Sequence, residues 1–211
     1  MTFHRIPKVV LATLTGTFAL AAVSGIGLAT TTDASATGAC TTTVSGAHSG
    51  TMTLSGPGTT CLKNATQDGA ITVGNGHELS VVDSKIYGAV TSTSSAPFTF
   101  CHSSTVRGAL SISNSMNFVL IGDNGLACPA NVIDGAVTMD SNKGGVRLGG
   151  NSIAGAVTAN GNIAPNGTII ENNHIGGKLT CTGNTPAPVN NGQGNTVSGD
   201  RVGQTCASGT F

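Results

Sequence analysis

The sequence predicts an all-β chain, folded as a single right-handed parallel β-helix (a solenoid) of about seven to eight coils and held by disulfides. Three observations predict it: a six-residue phrase that returns about every 20 residues, a column of small polar residues just ahead of each return, and cysteines spaced about one coil apart.

The phrase reads apolar, any residue, Gly, small, aliphatic, Thr or Ser. It stands as Ile86-Tyr87-Gly88-Ala89-Val90-Thr91, Val106-Arg107-Gly108-Ala109-Leu110-Ser111, Ile133-Asp134-Gly135-Ala136-Val137-Thr138, Ile153-Ala154-Gly155-Ala156-Val157-Thr158 and Ile175-Gly176-Gly177-Lys178-Leu179-Thr180. Weaker copies begin at Gln67 and Val197, and a further one is read at Val44-Ser45-Gly46. The repeat glycines 69, 88, 108, 135, 155, 177 and 199 give steps of 19, 20, 27, 20, 22 and 22. A unit this short cannot bury its apolar side alone, so copies must stack. Leucine-rich repeats share the period but need a Leu and Asn scaffold that is missing. Alternation along a strand sends Val90, Val137 and Val157 inward, with Ile71, Leu110 and Leu179 in the same column, and turns the neighbouring Ala and Thr outward.

Two residues before each apolar start stand Ser84, Ser104, Asn131, Asn151, Asn173 and Asn195. Asn tolerates left-handed backbone and bonds to nearby peptide groups, which suits a coil corner. Stacked Asn side chains can also bond along the coil axis. The 27-residue step marks an insertion within residues 121–131. Eight coils at strand spacing make a rod of roughly 35–40 Å. Lys178, Asp200 and Arg201 break the small-residue columns near the carboxy-terminal end, as a cap or a charged edge would.

Cys101 and Cys128 each lie five residues before a repeat start and so share a column in neighbouring coils, where strand spacing falls inside the Cα window for a disulfide. Cys40 with Cys61 and Cys181 with Cys206 are also about one coil apart. The expected pairs are therefore Cys40–Cys61, Cys101–Cys128 and Cys181–Cys206.

Residues 1–36 read as a signal peptide: Arg5 and Lys8, an apolar run from Val9 to Ala29, then Ala34-Ser35-Ala36 as the cleavage site. The run is long enough to span a bilayer as a retained anchor, but its Thr, Ser and Gly content and the Ala-Ser-Ala site favour cleavage. The β-helix domain then occupies 37–211. An even number of cysteines in an exported chain reads as disulfides. With nine basic and nine acidic residues, the chain offers no electrostatic footprint for nucleic acid or for an anionic membrane.

The repeated Gly-Ala-Val-Thr, the Gly-Asn corners and the closing stretch Leu179 to Pro188, followed by Gly194-Asn195-Thr196-Val197-Ser198-Gly199 and Gly203-Gln204-Thr205-Cys206, resemble the secreted right-handed parallel β-helix repeat proteins of actinobacteria. The likeness covers most of the mature chain. It implies a fold and an extracellular or cell-surface location; that group carries no assigned activity, so it brings no site residues. Pectate lyases and polysaccharide hydrolases share the fold class only.

Residues suited to chemistry are few and scattered. Lyases of this class need clustered carboxylates holding Ca²⁺, and hydrolases need paired carboxylates in a groove. Asp68 and Asp134 share an outward column but sit three coils apart. Arg107, one coil from Asp134, is expected to pair with it on the surface. Asp83, Asp123, Asp140 and Glu171 fall in different columns, as do His48, His77, His102 and His174, and no CxxC or HxxxH spacing suggests a metal. No catalytic, cofactor-binding or metal-ligating residue is assigned, and no cofactor is expected. The reading is a secreted, non-catalytic structural or cell-surface solenoid that binds cell-wall material or self-associates. Two alternatives stand beside it: a polysaccharide-active enzyme with a site near residues 121–131, where Asp134 and Asp140 would converge, and an ice- or mineral-surface binder acting through the Ala/Thr face.

Overall fold

Each return of the phrase begins a new coil. The computed structural model describes residues 39–93 and 96–211; the expected signal peptide lies outside them. One coil runs through the strands Val132–Ile133, Val137–Asp140 and Val146–Gly149, the next through Ser152–Ile153, Val157–Asn160 and Thr168–Glu171. Like strands stack on like: Val137 pairs with Leu110 and Val157, Ile133 with Val106 and Ile153, Val146 with Val119 and Thr168, all in parallel. The described strands form two parallel sheets, which together make a solenoid of about eight turns. The sequence-predicted fold stands.

The interior is a stack of in-register apolar columns. Ile71, Val90, Leu110, Val137, Val157 and Leu179 are fully buried, as are Val106, Ile133 and Ile175 on the short strands and Leu79, Phe100, Ile121 and Leu148 on the third face. Each such side chain contributes about 1.5–3 kcal/mol through burial. The column repeats because the residue above is the same size as the residue below, which close packing requires.

The phrase glycine has a steric cause. A Cβ on Gly88, Gly108, Gly135, Gly155 or Gly177 would lie 2.4–2.6 Å from backbone atoms of the preceding coil. The same contact corrects the first copy of the repeat. Gly69 stacks on Gly50, not Gly46; Met52 pairs with Ile71 and Thr53 with Thr72, whereas Gly46 pairs with Ala65 inside the strand Thr42–Ser49. The opening copy is therefore Ser49-Gly50-Thr51-Met52-Thr53, whose Met and Ser disguised it.

The small polar column forms a buried ladder. Asn151 Oδ1 accepts from both the backbone N–H and the side-chain Nδ2 of Asn131, and Asn151 makes the same two donations to Asn173 Oδ1. Asn173 repeats them to Asn195, while Ser104 and Ser84 continue the backbone half of the pattern toward Ala65. The left-handed residue at this corner is the one before the ladder residue, as at Asp83, Ser103, Gly150 and Asn172. The ladder residue was chosen for its bonding, not for left-handed backbone.

A second ladder runs at another corner and was not read from the sequence. Ser115 donates its N–H to Asn142 Oδ1, Asn142 donates two bonds to Asn162, Asn162 two to Asn184, and Asn184 two to Gln204 Oε1. Its signal was available: each of Ser115, Asn142, Asn162 and Asn184 lies five residues after the inward aliphatic of the phrase.

The two ends differ. At the carboxy-terminal end the chain turns back through a short 3₁₀ turn, Thr205–Ala207, and seats Phe211 against the core. This tail is the cap; of the charged residues expected there, Arg201 donates to the Asn195 carbonyl. At the amino-terminal end, the strand Thr42–Ser49 pairs only with Gly58–Asp68 among the described strands, and apart from half-buried Val44 it is exposed. The three disulfides form as expected: Cys40–Cys61, Cys101–Cys128 and Cys181–Cys206, with Cα separations of 5.7, 4.8 and 5.9 Å. Each closes a loop of 21 to 27 residues, worth about 3 kcal/mol in the chain-entropy view.

Candidate functional site

The one long coil step opens a site on the solenoid's surface. Gly122 still bonds to Phe100 of the coil below, after which the chain leaves the stack. It returns at Cys128, where Asp123 and Cys128 exchange two backbone hydrogen bonds and the disulfide to Cys101 pins the return. Between them, Asn124–Leu126 forms a single 3₁₀ turn whose first N–H groups would lack partners; Asp123 Oδ1 accepts from Gly125 N at 2.8 Å. Phe118 and Leu120 pack against the disulfide beneath the loop.

Arg147 of the following coil reaches up to this loop. Its Nη1 lies 2.5 Å from Asp123 Oδ2, and the Asp123 side chain is only 4% exposed. Arg147 makes the pair a fixed part of the loop, since the buried Asp123 carboxylate would be left uncompensated without it, whereas Arg147 is 27% exposed. Gly149 follows on the same strand and pairs with Glu171 of the next coil. Because Gly149 carries no side chain, a gap remains between Asp123 and Glu171: a cavity of about 260 Å³, lined further by Asn124, Asn172 and Gln193. Glu171 is 7% exposed, and its Oε2 accepts from Asn191 Nδ2 at 2.8 Å.

The site differs from what the sequence predicts. Asp123 and Glu171, assigned to separate columns, line one cavity, while Asp134 and Asp140 do not line it. The loop shifts Asp123 out of its strand register, a displacement that counting residues cannot follow. Asp140 instead accepts from Asn160 N on another face. Arg107 does not pair with Asp134; its guanidinium lies 4.9 Å above the Tyr87 ring, beside a smaller cavity lined by Lys85 and Thr105. Stacking of this kind satisfies a surface Arg about as well as an exposed ion pair. His77 is held by Gly56 O and Thr60 Oγ1. Among the described residues, no three His, Cys, Asp or Glu residues gather as a metal site would need.

A second feature is a surface rather than a pocket. The outward positions Thr53, Thr72, Thr91, Ser111, Thr138, Thr158 and Thr180 pair directly from coil to coil, making one unbroken row of hydroxyls. Parallel strands set these hydroxyls about 4.8 Å apart. Beside the row runs a column of small residues: Ala70, Ala89, Ala136 and Ala156, all half-buried, with Ala109 exposed. On its other side Asp140 accepts from Asn160 N, and Asn160 Oδ1 accepts from both Thr182 N and Oγ1, which ties that row together along the axis.

Among the described residues no helix is long and apolar enough to cross a membrane. Comparisons with protein-family models, with curated proteins and with solved structures give no match.

Proposed function

We propose that the protein is an exported, non-catalytic structural solenoid that lies against cell-wall polysaccharide through its Ala/Thr face. The single observation that carries this reading is the hydroxyl row from Thr53 to Thr180, seven residues in strict coil-to-coil register with no charged member. One hydroxyl hydrogen bond contributes only about 0.5–1.5 kcal/mol. Seven of them on a frame already rigid add together with little further ordering cost. Export is supported by the Ala34-Ser35-Ala36 site and by the pairing of all six cysteines, which fits an oxidising compartment. The resemblance to secreted actinobacterial β-helix proteins points the same way.

The test is co-sedimentation of the purified protein with insoluble cell-wall material. The triple variant Thr91→Lys, Thr138→Lys, Thr158→Lys should bind at least about tenfold more weakly, whereas Ser152→Lys, on a different face, should bind as before. Equal binding by all three proteins would contradict the assignment of the face.

The cavity between Asp123 and Glu171 favours a second reading, a polysaccharide-active site beside the insertion. Two carboxylates within one polar recess are what glycoside chemistry uses. Here Asp123 is committed to Arg147 and to Gly125 N, so Glu171 would have to act with a group from the substrate or with water. Glycan turnover that Glu171→Gln abolishes would select this reading.

A further inference from the structure

The exposed amino-terminal edge raises the question of what covers it. We propose that it docks a second copy of the same chain, edge to edge about a twofold axis. This goes beyond wall binding and does not depend on it.

The end is built as an unfinished sheet. Thr42–Ser49 and Met52–Leu54 are the outermost described strands of their sheets, each paired on one side only. Behind them Val44, Met52 and Leu54 are half-buried hydrophobics packed on the core, so the core itself surfaces at this end. Exposed edges are normally blunted by Lys, Pro, a bulge or a covering segment. The stretch Thr41–Leu54 has no Pro and no Lys, Arg, Asp or Glu. Its one register shift, between Val44 and Gly46, leaves the strand running on to Ser49.

The opposite end rules out a head-to-tail partner. There Phe211 covers the core, both polar ladders end on tail residues, and Cys181–Cys206 fastens the tail down. Nor can the mature chain readily cover its own open edge. Cleavage after Ala36 leaves only Thr37, Gly38 and Ala39 before Cys40, which is bonded to Cys61. Three residues reach about 10 Å, and an eight-residue strand is nearly three times as long. With one end closed and one open, the self-complementary arrangement joins two open ends. This closes the assembly at two copies, and the edge strands then run antiparallel, as sheet pairing allows.

Sedimentation equilibrium of the secreted product over a range of dilutions tests this, with its amino terminus determined on the same sample. The expected result is a species of twice the monomer mass that dissociates on dilution. Thr43→Lys with Ser45→Lys, both at exposed positions, should give monomer with an unchanged far-ultraviolet circular dichroism spectrum, while Ser208→Lys at the closed end should leave the dimer intact. A monomer at every concentration overturns the proposal, as does a dimer that survives the edge substitutions, or a filament. A monomeric product that retains residues 1–36 overturns it too, because the chain's own leader would then be the occupant.

Discussion

Asn195 stands to Phe211 as Asn173 stands to Asn195. In each case the backbone N–H and the side-chain Nδ2 of the first residue converge on one oxygen of the second, and in the last step that oxygen is the Phe211 main-chain oxygen instead of another Asn Oδ1. The ladder thus terminates without an orphaned donor, and Gln204 Oε1 ends the second ladder in the same way. One short tail satisfies both polar columns and covers the apolar one between them.

The ladder should be costly to interrupt. Replacing Asn151 by Ala removes the acceptor for two Asn131 donors and the donor to Ile121 O, all buried. Unsatisfied buried groups cost about 1–3 kcal/mol each, so a loss of at least about 3 kcal/mol is expected in denaturant unfolding. Asn151→Ser should lose less, because Ser104 already fills a rung with its hydroxyl. Equal losses would mean that volume, not bonding, sets the cost.

The glycine column makes a steric prediction. At Gly135 a Cβ would fall 2.4 Å from Gly108 O, whereas at Gly209 nothing lies within 4 Å. Gly135→Ala should force neighbouring coils apart and destabilise by about 1–3 kcal/mol or more. Gly209→Ala should leave the melting temperature nearly unchanged. A tolerated Gly135→Ala would show that the coils can separate cheaply.

The cap can be removed by one substitution. Phe211→Ala takes away the side chain that covers the end of the core and should cost about 3 kcal/mol. Hydrogen exchange should show the loss first at Thr196–Val197 and His174–Ile175, the coils nearest the tail, before the middle coils lose protection. Uniform loss along the rod would argue against end fraying as the weak point.

Much of this was legible in the sequence, for one reason. In a solenoid a residue's neighbour lies one period away, so counting predicts contacts, and the apolar columns, the Asn151–Asn173 ladder and the Cys101–Cys128 bridge all follow from it. Counting fails where the period fails. The insertion moved Asp123 out of register and beside Glu171, and the short first coils hid Gly50 behind Gly46. The second ladder has the right period but lies in turn segments, where Asn is common for turn chemistry alone and so does not single out Asn142 or Asn162. Arg107 was paired with Asp134 by proximity, but stacking on Tyr87 competes on equal terms at an exposed site.

The central claim, that the protein holds cell-wall polysaccharide without cutting it, is tested most directly by measuring soluble sugar released from a wall preparation while the protein is bound to it. Retained binding is expected, with release no greater than from a preparation incubated without protein. Release that rises with protein concentration and vanishes in Glu171→Gln would contradict it, and would place catalysis in the cavity between Asp123 and Glu171.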